Sequence, residues 1–341
     1  MKSTSSGATS SMQRVSLKDI ADELGISQTA VSFAINDRPG VSAETKRRVK
    51  EAAAKMGWRP IYAAQALGSS KTMTVGFAPS RSVQGLKEET FMLHFMAGAH
   101  ESLSRQRYGL LYRPCSSTKE ELDVYRDWAS RKRVDGVILV DLKADDPRPK
   151  LLAELGLPAV LAGGPDPSNL VPSLSIDDSK TMGAILDHLL SRGYRRIAYI
   201  SGDPMLDYSR DREMSFRKFA EINNLEFSSV SFTNFDPNAA VGETLRLLGE
   251  LAAPTAFIYE NEILAAASLH ALAADCLNRD RKSSDGDKRL YPYSIPAIVS
   301  FEDSFVCEAV YPSITSVHRD AGVYGTKVAN LLLKGLAGEP V

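Results

Sequence analysis

Residues 15–36, VSLKDIADELGISQTAVSFAIN, constrain the fold more than any other stretch, because their apolar spacing fits two short helices meeting at a single turn. Ala21, Gly25 and Val31 stand four and then six residues apart. A small residue permits close helix approach, a glycine relaxes the turn, and a branched apolar residue seats the second helix. Leu17, Ile20, Ala21 and Leu24 recur at helical spacing, as do Val31, Ala34 and Ile35, so these side chains face inward. Gln28, Thr29, Ser32 and Phe33 are left pointing outward. This is the pattern of a helix-turn-helix, which lays its second helix in the major groove of DNA. An ordinary helical hairpin is the competing reading, but it does not require the turn and both faces to agree.

Charge supports the first reading. Residues 1–71 carry eleven Lys/Arg against six Asp/Glu, whereas the remaining 270 residues carry thirty against thirty-six. A basic head on an acidic body suits a polyanion-binding head whose body is kept off the phosphates. At 341 residues the chain has room for a small domain and a large one. The serine-rich start, MKSTSSGATSSM, has no apolar core, and no apolar run is long enough to span a bilayer. Residues 1–13 therefore read as a disordered tail, and the protein as soluble and cytoplasmic. Cys115, Cys276 and Cys307 are far apart, with no CxxC or Cys/His cluster, so neither a metal site nor a disulfide framework is expected.

Ser27 is placed to cap the second helix and Ser42 a third, SAETKRRVKEAAAKMGW, with Val49, Ala52, Ala53 and Met56 as its buried stripe. Lys46, Arg47, Arg48 and Lys50 supply positive charge along it. A three-helix head over 14–59 follows, then a short helix and linker over 60–72. Pro60 suits a first helical turn, the run Ala63–Leu67 favours helix, and Gly68-Ser69-Ser70 ends it. Such a helix is too short to be stable alone and could order only on DNA; a plain linker is the other reading.

From residue 73 the pattern becomes strand, helix, strand. TVGFAPS, YGLLYRP and VDGVILVDL read as strands between the helices FMLHFMAGAHESLSRQ and KEELDVYRDWASRK. The alternation resumes at PSLSID and runs through RRIAYISG, SSVSFTNF, TAFIYEN and PAIVSFED. Alternation of this kind gives parallel sheets covered by helices on both faces. Two such halves in series predict two lobes over 73–341 with a cleft between them, where ligands settle beyond the strand ends.

Residues 15–67 resemble the lactose/galactose-repressor (LacI/GalR) family of bacterial transcriptional regulators. The elements that carry the likeness are VSLKDIADELGIS, the VSxxxN of the second helix, RPGVSAETKRRV, GWRP and the closing AxxL. The resemblance implies DNA contacts from Ser27, Gln28, Thr29, Ser32, Phe33 and Asn36 in the head, and from Tyr62, Gln65 and Leu67 in the hinge. Leu67 matches the leucine that wedges a minor-groove base step. Gln28 can pair with adenine, and Phe33 and the Thr29 methyl can contact a thymine methyl. Ala30, Phe33 and Ile61 depart from the family's frequent Thr, Arg and Asn, which bears on the operator sequence and not on the fold.

The likeness continues more diffusely through VDGVIL, LGLPAVL, SIDDSKTMGAILDHLLSRGYRRIAYISG, PTAFIYENE, VSFED and PSITSVHRDAGVYG. It implies a type I periplasmic-binding-protein-like body: an N-lobe of 73–172 with a return near 319–337, a C-lobe of 173–318, and three crossings between them. It also carries ligand positions over to Phe91, Arg212, Phe235, Asn261 and Glu302. Arg212 would fork onto ligand hydroxyls or a carboxylate, or else form a surface salt bridge; the two phenylalanines would flank the ligand or belong to the core. Asn261 is followed by Glu262 where the family has Asp, and Glu302 replaces the first of an aspartate pair. Ser215, Ala267 and Ser300 stand at expected glycines, and 279–294 reads as a mobile polar loop. The sequence closes on GEPV where relatives continue into a last strand, so the final C-lobe strand is expected to be absent or supplied differently.

The implied function is a dimeric repressor that binds a palindromic double-stranded operator under the control of a sugar or sugar derivative. No cofactor, metal or catalytic residue is expected. The rival readings are an α/β enzyme or a sugar-binding protein with an appended head. GxSxG, GxxxxGK[ST] and HExxH are all absent, and none of the five histidines is paired with a nucleophile in sequence.

Overall fold

A computed structural model describes residues 15–58, 71–80, 90–282 and 295–341. The hinge positions Tyr62, Gln65 and Leu67, Ile61, and the tail 1–13 lie outside them. The chain divides into two compact units, Met1–Thr72 and Met73–Val341.

The head consists of α1 (Leu17–Leu24), α2 (Gln28–Ile35) and α3 (Ala43–Lys55). Each begins at a serine whose hydroxyl accepts a backbone N–H: Ser16 from Asp19, Ser27 from Ala30 and Ser42 from Thr45. Asp19 returns the favour to the Ser16 backbone, completing a capping box. Gly25, at φ 65°, ends α1 in the left-handed region and so permits the turn. Ile20, Ala21, Val31, Ala34, Val49 and Ala53 form the buried centre, with Leu17, Leu24, Ile35, Ala52 and Met56 packed around it.

In the body, the first sheet has the order β2-β1-β3-β4-β5, all parallel, from β1 (Thr74–Phe77), β2 (Gly109–Tyr112), β3 (Gly136–Val140), β4 (Ala159–Ala162) and β5 (Ser173–Leu174). Alternation along β3 divides the core: Val137 and Leu139 meet α5 (Thr118–Ser130) and α6 (Pro147–Glu154). Ile138 and Val140 meet α4 (Thr90–Arg105) and α12 (Ala321–Leu336). Helices α4 and α12 cross at backbone distance: a Cβ on Gly98 would lie 1.9 Å from the Gly322 carbonyl oxygen, and one on Gly325 would lie 2.0 Å from that of Phe95.

The second sheet repeats the plan as β7-β6-β8-β9-β10, from β6 (Arg196–Ser201), β7 (Phe227–Phe232), β8 (Ala256–Tyr259), β9 (Ala297–Ser300) and β10 (Thr315–Ser316). Its helices are α7 (Asp178–Ser191), α8 (Asp207–Ile222), α9 (Pro237–Leu248), α10 (Glu262–Lys282) and the short α11 (Phe305–Ala309). Helices α7 and α8 cover one face through Met182, Ile185, Leu186, Leu189 and Phe216. Helices α9 and α10 cover the other through Ala240, Leu247, Leu264, Leu269 and Leu272.

Four expectations change. Ser173–Leu174, read as the start of the second half, pairs with Leu161–Ala162 of the first sheet, because the Leu161 N–H donates to the Pro172 carbonyl and carries the register onward. Residues 279–282, read as loop, continue the backbone of α10. Helix α6 and strand β4 were not anticipated; Asp146 caps α6 and Pro149 and Leu152 anchor it. Among the described residues the chain crosses between lobes twice, near 175–177 and 317–320, and not three times. After the second crossing α12 buries Val328, Ala329 and Leu332 in the N-lobe core.

Candidate functional site in the head and in the cleft

On the head, Ser27, Gln28, Thr29 and Asn36 are exposed, while Ser32 and Phe33 are half-buried. Two of the expected contacts are partly occupied. Asn36 donates its amide to the Ser32 carbonyl at 2.9 Å, closing the end of α2. The Phe33 ring lies 3.6 Å from where a Gly40 Cβ would stand, so it rests under the following loop and does not project fully outward. Ser27 accepts from the Ala30 N–H at 3.1 Å, which leaves its hydroxyl hydrogen available to a phosphate oxygen. The α3 cations are less available than their count implies. Arg47 bridges Glu44 and Glu51, both at 2.7 Å, and Lys50 holds Asp37 at 2.9 Å. These pairs are exposed and weak, so a phosphate can compete for the cations.

In the body, a cleft of ≈ 1240 Å³ lies at the carboxyl ends of both sheets. In each lobe the strand order reverses direction there, between β1 and β3 and between β6 and β8, which is where open α/β sheets bind ligands. Phe91, Arg212, Phe235, Asn261 and Glu302 all line this one cleft, although they span more than two hundred residues of sequence.

Each is held differently. Phe91 lies in the first turn of α4 and packs near Tyr324, ring centroids 6.4 Å apart. Phe235 sits at φ 58°, its ring over Gly202, where any Cβ would come within 2.2 Å. Asn261 follows β8 and its Oδ1 accepts the Leu264 N–H at 3.0 Å, capping the start of α10. Glu302 follows β9; the Ser300 hydroxyl accepts its N–H at 3.2 Å and donates to its carbonyl at 2.5 Å. The serine at this expected glycine thus shapes the loop that carries Glu302.

Arg212 is the centre of a buried ion network, not a surface salt bridge. It is 3% exposed. Its Nη1 donates to Glu260 at 2.6 Å, and Asp178 lies 3.2 Å from Nε and 3.3 Å from Nη2. Asp178 also pairs with Arg319, at the second crossing between lobes. Both guanidinium groups stack on the Phe301 ring, at 4.1 Å for Arg212 and 4.9 Å for Arg319. Burial works against the charge on Arg212, but Glu260 and Asp178 outweigh it and hold the guanidinium firmly protonated. Sequence reading missed Glu260, Asp178, Arg319 and Phe301. All four lie within or beside segments that resemble the family, but pairing between them is a long-range matter.

The lobes touch on either side of the cleft. The Thr90 hydroxyl donates to Glu262 at 2.6 Å, and the Asp207 N–H donates to the Leu142 carbonyl at 3.0 Å.

Comparison with known proteins agrees with this geometry. The family model for bacterial regulatory proteins of the lacI family matches residues 16–60, and that for a periplasmic binding protein-like domain matches 186–278. The HTH-type transcriptional regulator AglR of Rhizobium meliloti (strain 1021) is 31% identical over 264 residues, covering 76% of this chain and 73% of AglR. The chain belongs to the LacI family of bacterial regulatory proteins. A further relative, the HTH-type transcriptional regulator CelR of Thermobifida fusca, is 28% identical over 331 residues, covering 96% of this chain and 93% of CelR. Among solved structures, a transcriptional regulator CelR–cellobiose complex has a TM-score of 0.68 and 27% identity, covering 96% of this chain and 95% of that one. The LacI-family architecture, a helix-turn-helix head before two parallel α/β lobes, is therefore the fold of this protein.

Proposed function

We propose that this protein is a homodimeric, DNA-binding transcriptional regulator, acting as a repressor, whose hold on a palindromic operator is set by a sugar in the interlobe cleft. What supports the reading above all is the convergence of Phe91, Arg212, Phe235, Asn261 and Glu302 on one cleft in a chain that begins with a helix-turn-helix head. Aromatic faces with carboxylate, amide and guanidinium groups are the surfaces that sugar rings and hydroxyls need. The relative solved with cellobiose supports a saccharide effector.

On this reading Gln28 and Thr29 lead base recognition, and Ser27 contacts a phosphate. A single head covers half a site, so twofold pairing of bodies doubles the contacts and matches a palindrome. The sugar acts through its different affinity for the two lobe arrangements, one of which sets the heads at operator spacing. Opening the cleft breaks Thr90–Glu262 and Asp207–Leu142, so occupancy and lobe angle are coupled. The protein works in the cytoplasm with the DNA, and the body turns nothing over. No described helix is long and apolar enough to cross a membrane.

The test is selection of bound fragments from genomic DNA, then footprinting with and without a saccharide panel. A protected palindrome whose occupancy changes with one saccharide class is the expected result. Protection of unrelated sequences, insensitive to every saccharide, would overturn the reading.

A further inference from the structure

Glu260 does not line the cleft, yet it controls the charge the cleft presents. It directly follows β8 and is 1% exposed. One carboxylate oxygen receives Arg212 at 2.6 Å and the Ser209 hydroxyl at 3.3 Å. The other receives the Tyr199 hydroxyl, the Ser201 hydroxyl at 2.9 Å and the Gly202 N–H at 3.3 Å. Five donors surround this one buried carboxylate, so hydrogen bonds and a cation together offset its desolvation.

Arg212 is thereby neutralised from behind, inside the C-lobe. Asp178 lies along the Nε–Nη2 edge, the edge with which a guanidinium forks onto an anion: it accepts from Nη2 at 3.3 Å and stands at ion-pair distance, 3.2 Å, from Nε. Asp178 takes Arg319 as well. Arg212 and Glu260, both buried, and Arg319 and Asp178, both half-buried, sum to zero, and Glu302 adds a negative group to the cleft wall. A phosphate or carboxylate entering beside Arg212 meets guanidinium groups whose charge is already balanced by carboxylates, and pays desolvation with no net charge there to offset it. A hydroxyl group meets no such obstacle, since it can donate to Asp178 or Glu302 and accept from an arginine.

We propose that Glu260 is the specificity-determining residue for effector charge: by neutralising Arg212 it makes the cleft select uncharged polyhydroxyl ligands and reject their phosphorylated or carboxylated forms. The inference deepens the effector reading and rests on it for the identity of the ligand, but the charge role can be tested without that identity.

Inorganic phosphate serves as the probe for an exposed guanidinium charge, read by thermal shift and calorimetry on the full-length protein. The wild type is expected to show no saturable binding. Glu260→Gln keeps the shape and most hydrogen bonds but leaves Arg212 with net charge, and should tighten phosphate binding by about tenfold or more. Glu260→Gln with Arg212→Ala should lose that gain. Asp178→Asn, which uncovers the cleft edge of Arg212, should gain phosphate binding too, and it decides the matter if the Gln variant does not fold. Phosphate binding equal in wild type and both single variants would overturn the proposal, as would none in either folded variant. Cellobiose, maltose and their 6-phosphates run in parallel. A wild type preferring the phosphorylated sugar also overturns it, whereas a phosphate pattern as expected with no saccharide bound supports the role of Glu260 and defeats the sugar reading alone.

Discussion

At the scale of single residues, buried charge in the body is organised around arginines, and the N-lobe carries its own case. Arg148 is 1% exposed and donates to Glu121 and Asp146, each at 2.6 Å, and to the Asp141 carbonyl at 2.6 Å. Its two carboxylate partners respond in opposite directions. Burial pushes Glu121 up, and Arg148 offsets this only in part. Burial pushes Asp146 up too, but several hydrogen bonds and the charge of Arg148, with the backbone N–H groups of Arg148 and Lys143, outweigh it and hold Asp146 below the usual range. Arg148→Met should cost about 3–5 kcal/mol, because it strands buried carboxylates that the cation had satisfied. The sign of the pH dependence follows from linkage. A carboxyl whose folded pKa is raised stabilises below its unfolded value and loses that stability as pH rises; one whose folded pKa is lowered gains above it. Removing Arg148 raises both, so the deficit relative to wild type should grow in urea denaturation as pH rises through the ordinary carboxylate range toward neutrality. A constant deficit across that range would contradict the ionic account.

At the scale of elements, the crossing of α4 and α12 ties the last helix to the N-lobe. Glycines at 98 and 325 allow backbone contact, the Thr326 hydroxyl donates to the Gly98 carbonyl at 3.0 Å, and the Ser102 hydroxyl donates to Asn330 at 2.6 Å. A methyl group at 325 must push the helices apart and open the core around Phe95, Ala99 and Val328. Gly325→Ala is therefore expected to destabilise the body by about 2–3 kcal/mol. Gly335→Ala on the same helix meets only the Val341 side chain at 3.5 Å, and should be neutral or stabilising by up to ~1 kcal/mol through helix propensity. Thermal melts of the two variants separate packing from propensity. Similar effects at both positions would show that backbone approach is not what the glycines serve.

At the scale of the whole molecule, the two units deal with different chemistries and should respond differently to salt. Residues 1–71 carry eleven cationic against six acidic side chains, and the body is acidic on balance. Operator binding should weaken by about 10³- to 10⁵-fold between 50 and 200 mM salt if six to ten phosphates are contacted, because released counterions drive association. Binding of an uncharged saccharide to the cleft should change by less than about twofold over the same range, since screening acts on exposed charge and the cleft arginines are already paired. Parallel titrations of one preparation test both halves. Equal salt sensitivity in the two would argue that the effector is itself charged.

Local chemistry by itself determined the head and the order of the body's elements. Serine caps, the Gly25 turn and the apolar stripes of α1 to α3 operate within a few residues, and the strands announce themselves as β-branched runs between amphipathic helices. Five cleft positions were legible too, because they sit in segments resembling a family whose topology brings strand ends together. Tertiary structure alone decided what those positions do to one another. Glu260 and Arg212 are 48 residues apart, and Asp178 and Arg319 are 141 apart, yet they form one buried network. Whether a carboxylate is an anion, a partner or a barrier depends on the water it loses and the donors it gains, and both are set by neighbours in space. The sheet membership of Ser173–Leu174 was settled in the same way, by a backbone hydrogen-bond register that no local pattern encodes.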